Sequence, residues 1–553
     1  MKKLKFLTAL SSVACTLIAG AAIAKTTIYT NVNGYTLVGG ELHKFTHIQF
    51  TDDIIDKTFS SLDKQHLPKD AEIIDGHGKT MLPGLIDAHG HILSYGLSLL
   101  RADLSASFSA QDAVQRTLKY AETNPEIRWV QGRGWNQELW PNKTFPTAKM
   151  LDRFFPDKAV WLRRVDGHAG WANSKAMQLA SISKTTQSPD GGEIIKDKHG
   201  MPTGIFVDNA MSLIENKIPP LTQKEQRIAL TKAMNSLASL GITSVHDAGI
   251  DSRNLALFEQ LAKEELLPIR VNAMLYLPSP NWQQRLTKGT FVTPDNKLQF
   301  NSVKIQADGA LGSRGAALIN DYSDQHGHKG LLLHSADDLQ RYVAFAMQKG
   351  FQVNTHAIGD DANAKVLDLY QSLIENTNSK HLRHRVEHAQ VLRLSDIPRF
   401  NELGIIASMQ ATHATSDKNM AQDRLGKERI QGAYAWRKLL EANAIIAAGS
   451  DFPVEPANPF YGLHASVTRQ DRKNAPENGW MPEEKMTRVE ALRTFTSDAA
   501  YSGHQEHILG ELTSGKKADF ILIDHDYFTV NEEDLWNLQV AETWVDGQRV
   551  FKR

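Results

Sequence analysis

The 553-residue chain carries 62 Lys and Arg against 63 Asp and Glu, with 21 His, one Cys, 41% hydrophobic and 23% charged residues. These are the proportions of a folded globular protein, and they exclude a disordered tract, a collagen-like fibre or a disulfide scaffold. A net charge of −1 supplies no global field for nucleic-acid phosphates or an acidic membrane, so small-molecule partners and no nucleic acid are expected.

At the start, Met1–Lys5 is basic, the stretch 6–23 is apolar and uncharged, and Ala22-Ile23-Ala24 offers small residues. That order is the signature of a secretory leader, so residues 1–24 are expected to be removed after Ala24. The expectations that follow are export to a periplasm or the medium and no stable membrane anchor. Cys15 would leave with the leader, and any metal would then be held by His, Asp, Glu or Lys.

Residues 25–82 read as short strands, with Thr27–Thr30, Tyr35–Val38 and Phe45–Phe50 divided by Gly, Asn and Asp turn signals. The last segment, 506–553, reads alike: Asp519–Ile523, then Glu542–Val545, with a turn at Asp546-Gly547. Between them, over 83–505, apolar strand-like runs alternate with helical stretches such as Lys224–Leu240 and Ala336–Lys349, the pattern of a parallel α/β fold. Five of those runs end in polar or titratable residues: Leu85–His89, Ser302–Ile305, Phe351–His356, Val386–His388 and Ile445–Asp451. In a β/α barrel the C-terminal strand ends converge on one mouth, so five such ends predict one site. The long interval from His91 to Lys304 predicts an insertion within about 95–240. It contains Trp129, Trp135, Trp140, Trp161 and Trp171 and is expected to form a lid or pocket wall, its tryptophans hinting at an apolar or aromatic substrate group.

His89 and His91 are two residues apart at a strand end, so both are expected on one face, able to chelate one ion, with Asp87 beside them. His356 and His388 each close an apolar strand, and Asp451 adds a carboxylate suited to binding metal and taking a proton from water. A lysine within an apolar strand, Lys304, is costly unless paired; its nearest candidate partner in sequence is Asp308.

These segments resemble the amidohydrolase superfamily. They are the runs from Leu82 to His91, Val303 to Gly309, Thr355 to Asp360, Val386 to Gln390 and Gly449 to Val454, with Gly515 to Phe520 at the close. The branch they are similar to includes N-substituted formamide deformylases and exoenzyme-regulatory-type amidohydrolases. The chain departs from the family pattern at Ala411 and across His43–Ser60.

The resemblance implies an α/β fold: a (β/α)8 TIM-like barrel with a large insertion after strand 1, plus a small β-sandwich domain built from both termini. It implies that His89 and His91 hold one metal and His356 and His388 a second. Lys304 would bridge both as a CO2-derived carbamate, and Asp451 would bind metal and act as base. Two divalent ions are expected, zinc first, with manganese, cobalt or iron as alternatives. Trp135, His168, Arg314 and His413 are expected to line the substrate pocket. The implied reaction is hydrolysis of a non-peptide C–N bond, in an N-substituted formamide, N-acyl amine or cyclic amide, by metal-activated hydroxide; a homodimer is left open. A mononuclear deaminase on the same barrel is the alternative, although the residues after His356, Gly359 and Asp360, lack the glutamate such enzymes use. An exported solute receptor would need no convergent His, Lys and Asp set.

Overall fold

The computed structural model describes residues 24–62 and 67–553. The leader expected over 1–24, with Cys15, lies outside the described residues apart from Ala24. Among the described residues no helix is long and apolar enough to cross a membrane.

Eight parallel strands form the central sheet. In chain order they are Leu85–Gly90, Ile242–Ile250, Arg270–Leu277, Leu298–Gln306, Gln352–Ala357, Arg385–His388, Ile406–Met409 and Ile446–Ala448, and each pairs with its sequence neighbour. The eighth strand returns to the first, where the Asp451 N–H donates to the His89 carbonyl at 2.7 Å, so the sheet is nearly closed into a barrel. The predicted helices fall close to expectation, at Gln223–Ser239 and Ala336–Gln348. Thr222 starts the first with a reciprocal bond to Glu225, and the Ser335 hydroxyl caps the second by accepting from the Asp338 N–H. Strands and helices share one apolar core through Val245, Val303, Val353 and Leu367.

Residues 102–208, between the first and second barrel strands, form a separate six-stranded sheet. The terminal segments build two further sheets. One, of four strands, comes from residues 26–75; the other interleaves strands 33–38, 41–45 and 80–83 with 520–523, 540–545 and 548–552. Their apolar faces meet around Tyr29, Phe50, Phe520 and Trp544. The single strand expected over Phe45–Phe50 is two, Glu41–Phe45 and His47–Thr51. The turn at Thr46 lets each half pair in a different sheet.

Candidate metal centre and cavity

The five polar strand ends belong to the first, fourth, fifth, sixth and eighth barrel strands, and they meet at one mouth. His89 is buried, and its Nδ1 bonds the Glu387 carboxylate. That leaves Nε2 facing the mouth, 3.3 Å from Lys304 Nζ and 3.5 Å from Asp451 Oδ1. His91 follows the strand as the first residue before helix Ile92–Ser98 and puts its Nε2 3.0 Å from the same Asp451 oxygen. The His388 ring lies 4.8 Å from that of His89 and 4.5 Å from that of His356. Two groups have ligand atoms close enough to hold one ion: His89, His91 and Asp451, and His388, His413 and Asp451. Asp451 Oδ1 and His413 Nε2 are buried without a hydrogen-bond partner, as expected of donors that face a cation. The donor set, imidazoles and carboxylate, suits a divalent transition ion.

Burial holds the imidazoles neutral, the form that ligates. It pushes His89 down to about 4, helped by Lys304, and drives His356 and His388 well below the ordinary histidine value. For Asp451 burial acts the other way but is outweighed by His89, His91 and His388, which keep the carboxylate ionised. Burial also lowers the Lys304 pKa. Asp308 is not its partner. It accepts the N–H groups of Ala317, Ile358 and Gly359 and sits 3.5 Å from His356 Nε2, so it fixes the loop after the fifth strand. Among the described residues no carboxylate lies within 4 Å of Lys304 Nζ.

A second layer orients these groups. Glu387 is flanked by Arg385, whose Nη2 donates to Glu387 Oε2 at 3.1 Å, to the Ala88 carbonyl at 2.6 Å and to Ser408 Oγ at 2.8 Å. The 2.7 Å approach of Arg385 Nε to Glu387 Oε1 is a charge contact off the hydrogen-bonding line, since neither atom has a hydrogen-bond partner. Burial would raise the Glu387 pKa, but Arg385 and His89 hold it far below the usual carboxylate range. Gln410 Oε1 fixes His388 Nδ1 at 2.8 Å, while Asp87 accepts the Ser450 hydroxyl at 2.7 Å and the His89 N–H at 3.1 Å. Asp87 thus takes the supporting position that strand alternation suggests.

The mouth opens into a cavity of about 1630 Å³, lined by the barrel ends, by residues between 105 and 215, and by residues from the 412–420 and 454–475 segments. His168 and His413 line it; His168 Nδ1 is held by Asp208 at 2.6 Å. Trp135 and Arg314 do not. Trp135 is fully buried in the core of the 102–208 sheet, its indole N–H donating to the Leu162 carbonyl and its ring packed on Trp140 and Trp171. Arg314 is tied to Asp324 at 2.9 Å and lies off the cavity wall. Trp140, Trp161 and Trp171 are likewise core residues, and the cavity is lined by charged side chains such as Arg133, Arg163, Asp166 and Glu455 together with apolar ones such as Leu139, Tyr276, Leu311 and Tyr461. These tryptophans therefore do not form the pocket wall, because large rings in a small sheet are needed to fill its own core.

An α/β barrel with clustered imidazoles and a carboxylate at its C-terminal mouth defines a metal-dependent hydrolase of the amidohydrolase superfamily. The model of the amidohydrolase family matches residues 72–551, and the chain belongs to that family. It is 33% identical to YtcJ of Bacillus subtilis over 90% of this chain and 93% of that protein. It is also 26% identical to the N-substituted formamide deformylase of Arthrobacter pascens, over 88% and 90%. Among solved structures, an uncharacterized metal-dependent hydrolase from Pyrococcus horikoshii aligns over 92% of this chain and 99% of its own, at 27% identity and a TM-score of 0.74.

Proposed function

We propose that this protein is an exported amidohydrolase that cleaves a non-peptide C–N bond, of the N-substituted formamide, N-acyl amine or cyclic amide class. The observation that carries the reading is the convergence of His89, His91, Lys304, His356, His388 and Asp451 from five strands, with buried Asp451 Oδ1 faced by His89 and His91 Nε2 at 3.5 and 3.0 Å. The similarity to a formamide deformylase over nearly the whole chain supports the substrate class. In this reading residues 102–208 are an insertion that roofs the mouth, and the terminal sheets form a β-sandwich domain.

His89, His91, His356, His388 and Asp451 would hold two divalent ions, zinc first, with Lys304 as a carbamate between them. Ions bound there would polarise the amide carbonyl and acidify water. Burial of Lys304 favours the neutral amine that adds to CO2. Asp451, kept ionised by its three histidine neighbours, accepts the proton of the attacking water and delivers it to the departing amine nitrogen. Glu387 holds the His89 ring so that Nε2 faces the mouth. His168, beside His356, and His413, beside His388, both line the cavity and are placed to orient the substrate carbonyl.

The test is metal content and amide turnover of wild type and Lys304→Ala, purified without chelators in bicarbonate. About two ions per wild-type chain, falling in the variant together with formamide hydrolysis, is the expected result. A single ion indifferent to the substitution, with ammonia released from purines or pyrimidines, would overturn it in favour of a mononuclear deaminase.

A further inference from the structure

The roof of the cavity carries three arginines, and they are not equivalent. Arg164 is paired with Asp166, with further bonds to Gln137 and Asn136. Arg163 approaches Glu215 at 3.4 Å and donates to the Gly167 carbonyl at 2.9 Å. Arg133 differs: its Nε and Nη2 both donate to one neutral acceptor, the Val165 carbonyl, at 3.2 and 2.9 Å. Among the described residues no carboxylate lies within 4 Å of its guanidinium, and Nη1 has no protein acceptor. A half-buried guanidinium is ordinarily matched by an anion, because its desolvation is otherwise uncompensated.

The position of Arg133 gives that mismatch a direction. It lines the cavity beside Gly134 and Asn136, the same cavity that His91 and Asp451 line, and its charge is felt by both. Gly167 sits at φ +77°. A Cβ on it would lie 3.2 Å from Arg133 Nη2 and 3.5 Å from Arg163 Nη2, which puts these two amino groups at most 6.7 Å apart. Glycine leaves the gap between the two cations open. Burial, and then the like charge of Arg163, push Arg133 down to about 10. Asp451, Asp166 and Glu215 oppose that push only in part, and an approaching anion would oppose it further.

We propose that Arg133, flanked by Arg163, is a carboxylate-recognition point, and that the favoured substrates are amides bearing a carboxylate a few bonds from the scissile C–N bond. The proposal rests on the amide-hydrolase reading and narrows its substrate class. The planar fork of a guanidinium matches a carboxylate in two parallel bonds, which a lysine cannot copy. The roof residues thereby select the substrate while the barrel ends perform the reaction.

The experiment compares two matched pairs on the metal-loaded protein. N-formylphenylalanine, as each enantiomer, is set against N-formylphenethylamine, and N-phenethylsuccinamate against N-phenethylbutyramide. Wild type is expected to favour the acid in at least one pair. Arg133→Gln is expected to lower that kcat/KM ratio about 10- to 100-fold, the range for a charge-assisted hydrogen bond, with Arg133→Lys recovering part and Arg163→Gln losing less. The ratio is insensitive to a general loss of folded protein. Calorimetric binding of the same compounds reads the subsite independently of turnover. Acid-selective binding lost in Arg133→Gln supports the subsite even where no amide is cleaved, an outcome that would overturn the reaction class alone. Amide hydrolysis with no acid preference, or with a preference unchanged in Arg133→Gln, overturns the subsite and leaves the reaction class standing.

Discussion

Glu387→Gln isolates the layer beneath the metal ligands. The substitution keeps the shape of the side chain but removes the charge that faces Arg385 at 2.7 Å and replaces the carboxylate that accepts His89 Nδ1–H with a neutral amide. At that distance and an effective dielectric of about 20, the attraction is about 6 kcal/mol. Part of this offsets desolvation, and removing one member of such a buried pair destabilises by about 3–5 kcal/mol, since the guanidinium stays behind uncompensated. The second consequence is local: His89 loses the carboxylate that fixes its tautomer and ring, which is expected to weaken metal binding about 10- to 100-fold.

The two effects separate in a cycle with Arg385→Met. Urea unfolding gives the stability of wild type, both single variants and the pair, while metal titration of the apo-proteins gives affinity. The double variant is expected to be less destabilised than the two single losses combined, because the orphaned charge is gone, yet its metal affinity stays as low as that of Glu387→Gln. Arg385→Met will cost something alone, since the Ala88 carbonyl and Ser408 Oγ lose a donor. Wild-type stability and metal affinity in Glu387→Gln would refute the argument, and so would strict additivity of the two substitutions.

Trp135→Ala is expected to cost about 3–5 kcal/mol, the range for emptying a buried aromatic site, and to leave substrate KM unchanged. A selective rise in KM without loss of stability would return Trp135 to the pocket wall. The buried His384 gives a pH prediction: its Nδ1 accepts the Val353 N–H at 3.0 Å, and burial lowers its pKa to about 3. The unfolded chain, at about 6.5, binds the extra proton between these values. The stabilisation is therefore complete above about pH 6.5 and is lost as pH falls toward about 3, with a slope of about 1.4 kcal/mol per unit. Relative to wild type, His384→Asn, which keeps an acceptor near Nδ1, should show an unfolding free energy that falls less steeply with acid; identical slopes would remove His384 from the account.

The barrel was legible because its information lies in short, local patterns. Each ligand-bearing residue closes an apolar run, and runs such as Leu85–His89 and Val386–His388 keep their boundaries within a residue or two in the structure. Which residues of the inserted segment face the cavity was not legible, because their facing depends on how the 102–208 sheet sits over the mouth. Trp135 and Arg133 are two residues apart on one strand, yet Trp135 enters the core and Arg133 faces the cavity. Gly134, at φ +113°, breaks the regular alternation between them, and the pairing register shifts there as well. No count of tryptophans or charges reports that break. Glu387 did leave a signal: two opposite charges spaced by two, Arg385 and Glu387, inside a wholly buried strand, which marks an internal pair rather than a solvated face.

The seam between the eighth and first strands ties closure of the barrel to assembly of the site. Gly449 admits no side chain, since a Cβ there would lie 2.5 Å from the His89 nitrogen and 2.7 Å from Asp87 Oδ1. Ser450 is clasped by Asp87, and the Asp451 N–H donates to the His89 carbonyl. Asp451 is held at φ 58° and His388 at φ 73°, left-handed conformations that cost non-glycine residues about 1–3 kcal/mol each and persist only when neighbours over-determine them. The same bonds that join the strands therefore impose the strain that aims Asp451 at His89 and His91. An open barrel would release it, and the ligand set would disperse with the seam. Ligand geometry is thus a property of the closed sheet rather than of any one loop, which is why residues so far apart in sequence can be read as one site.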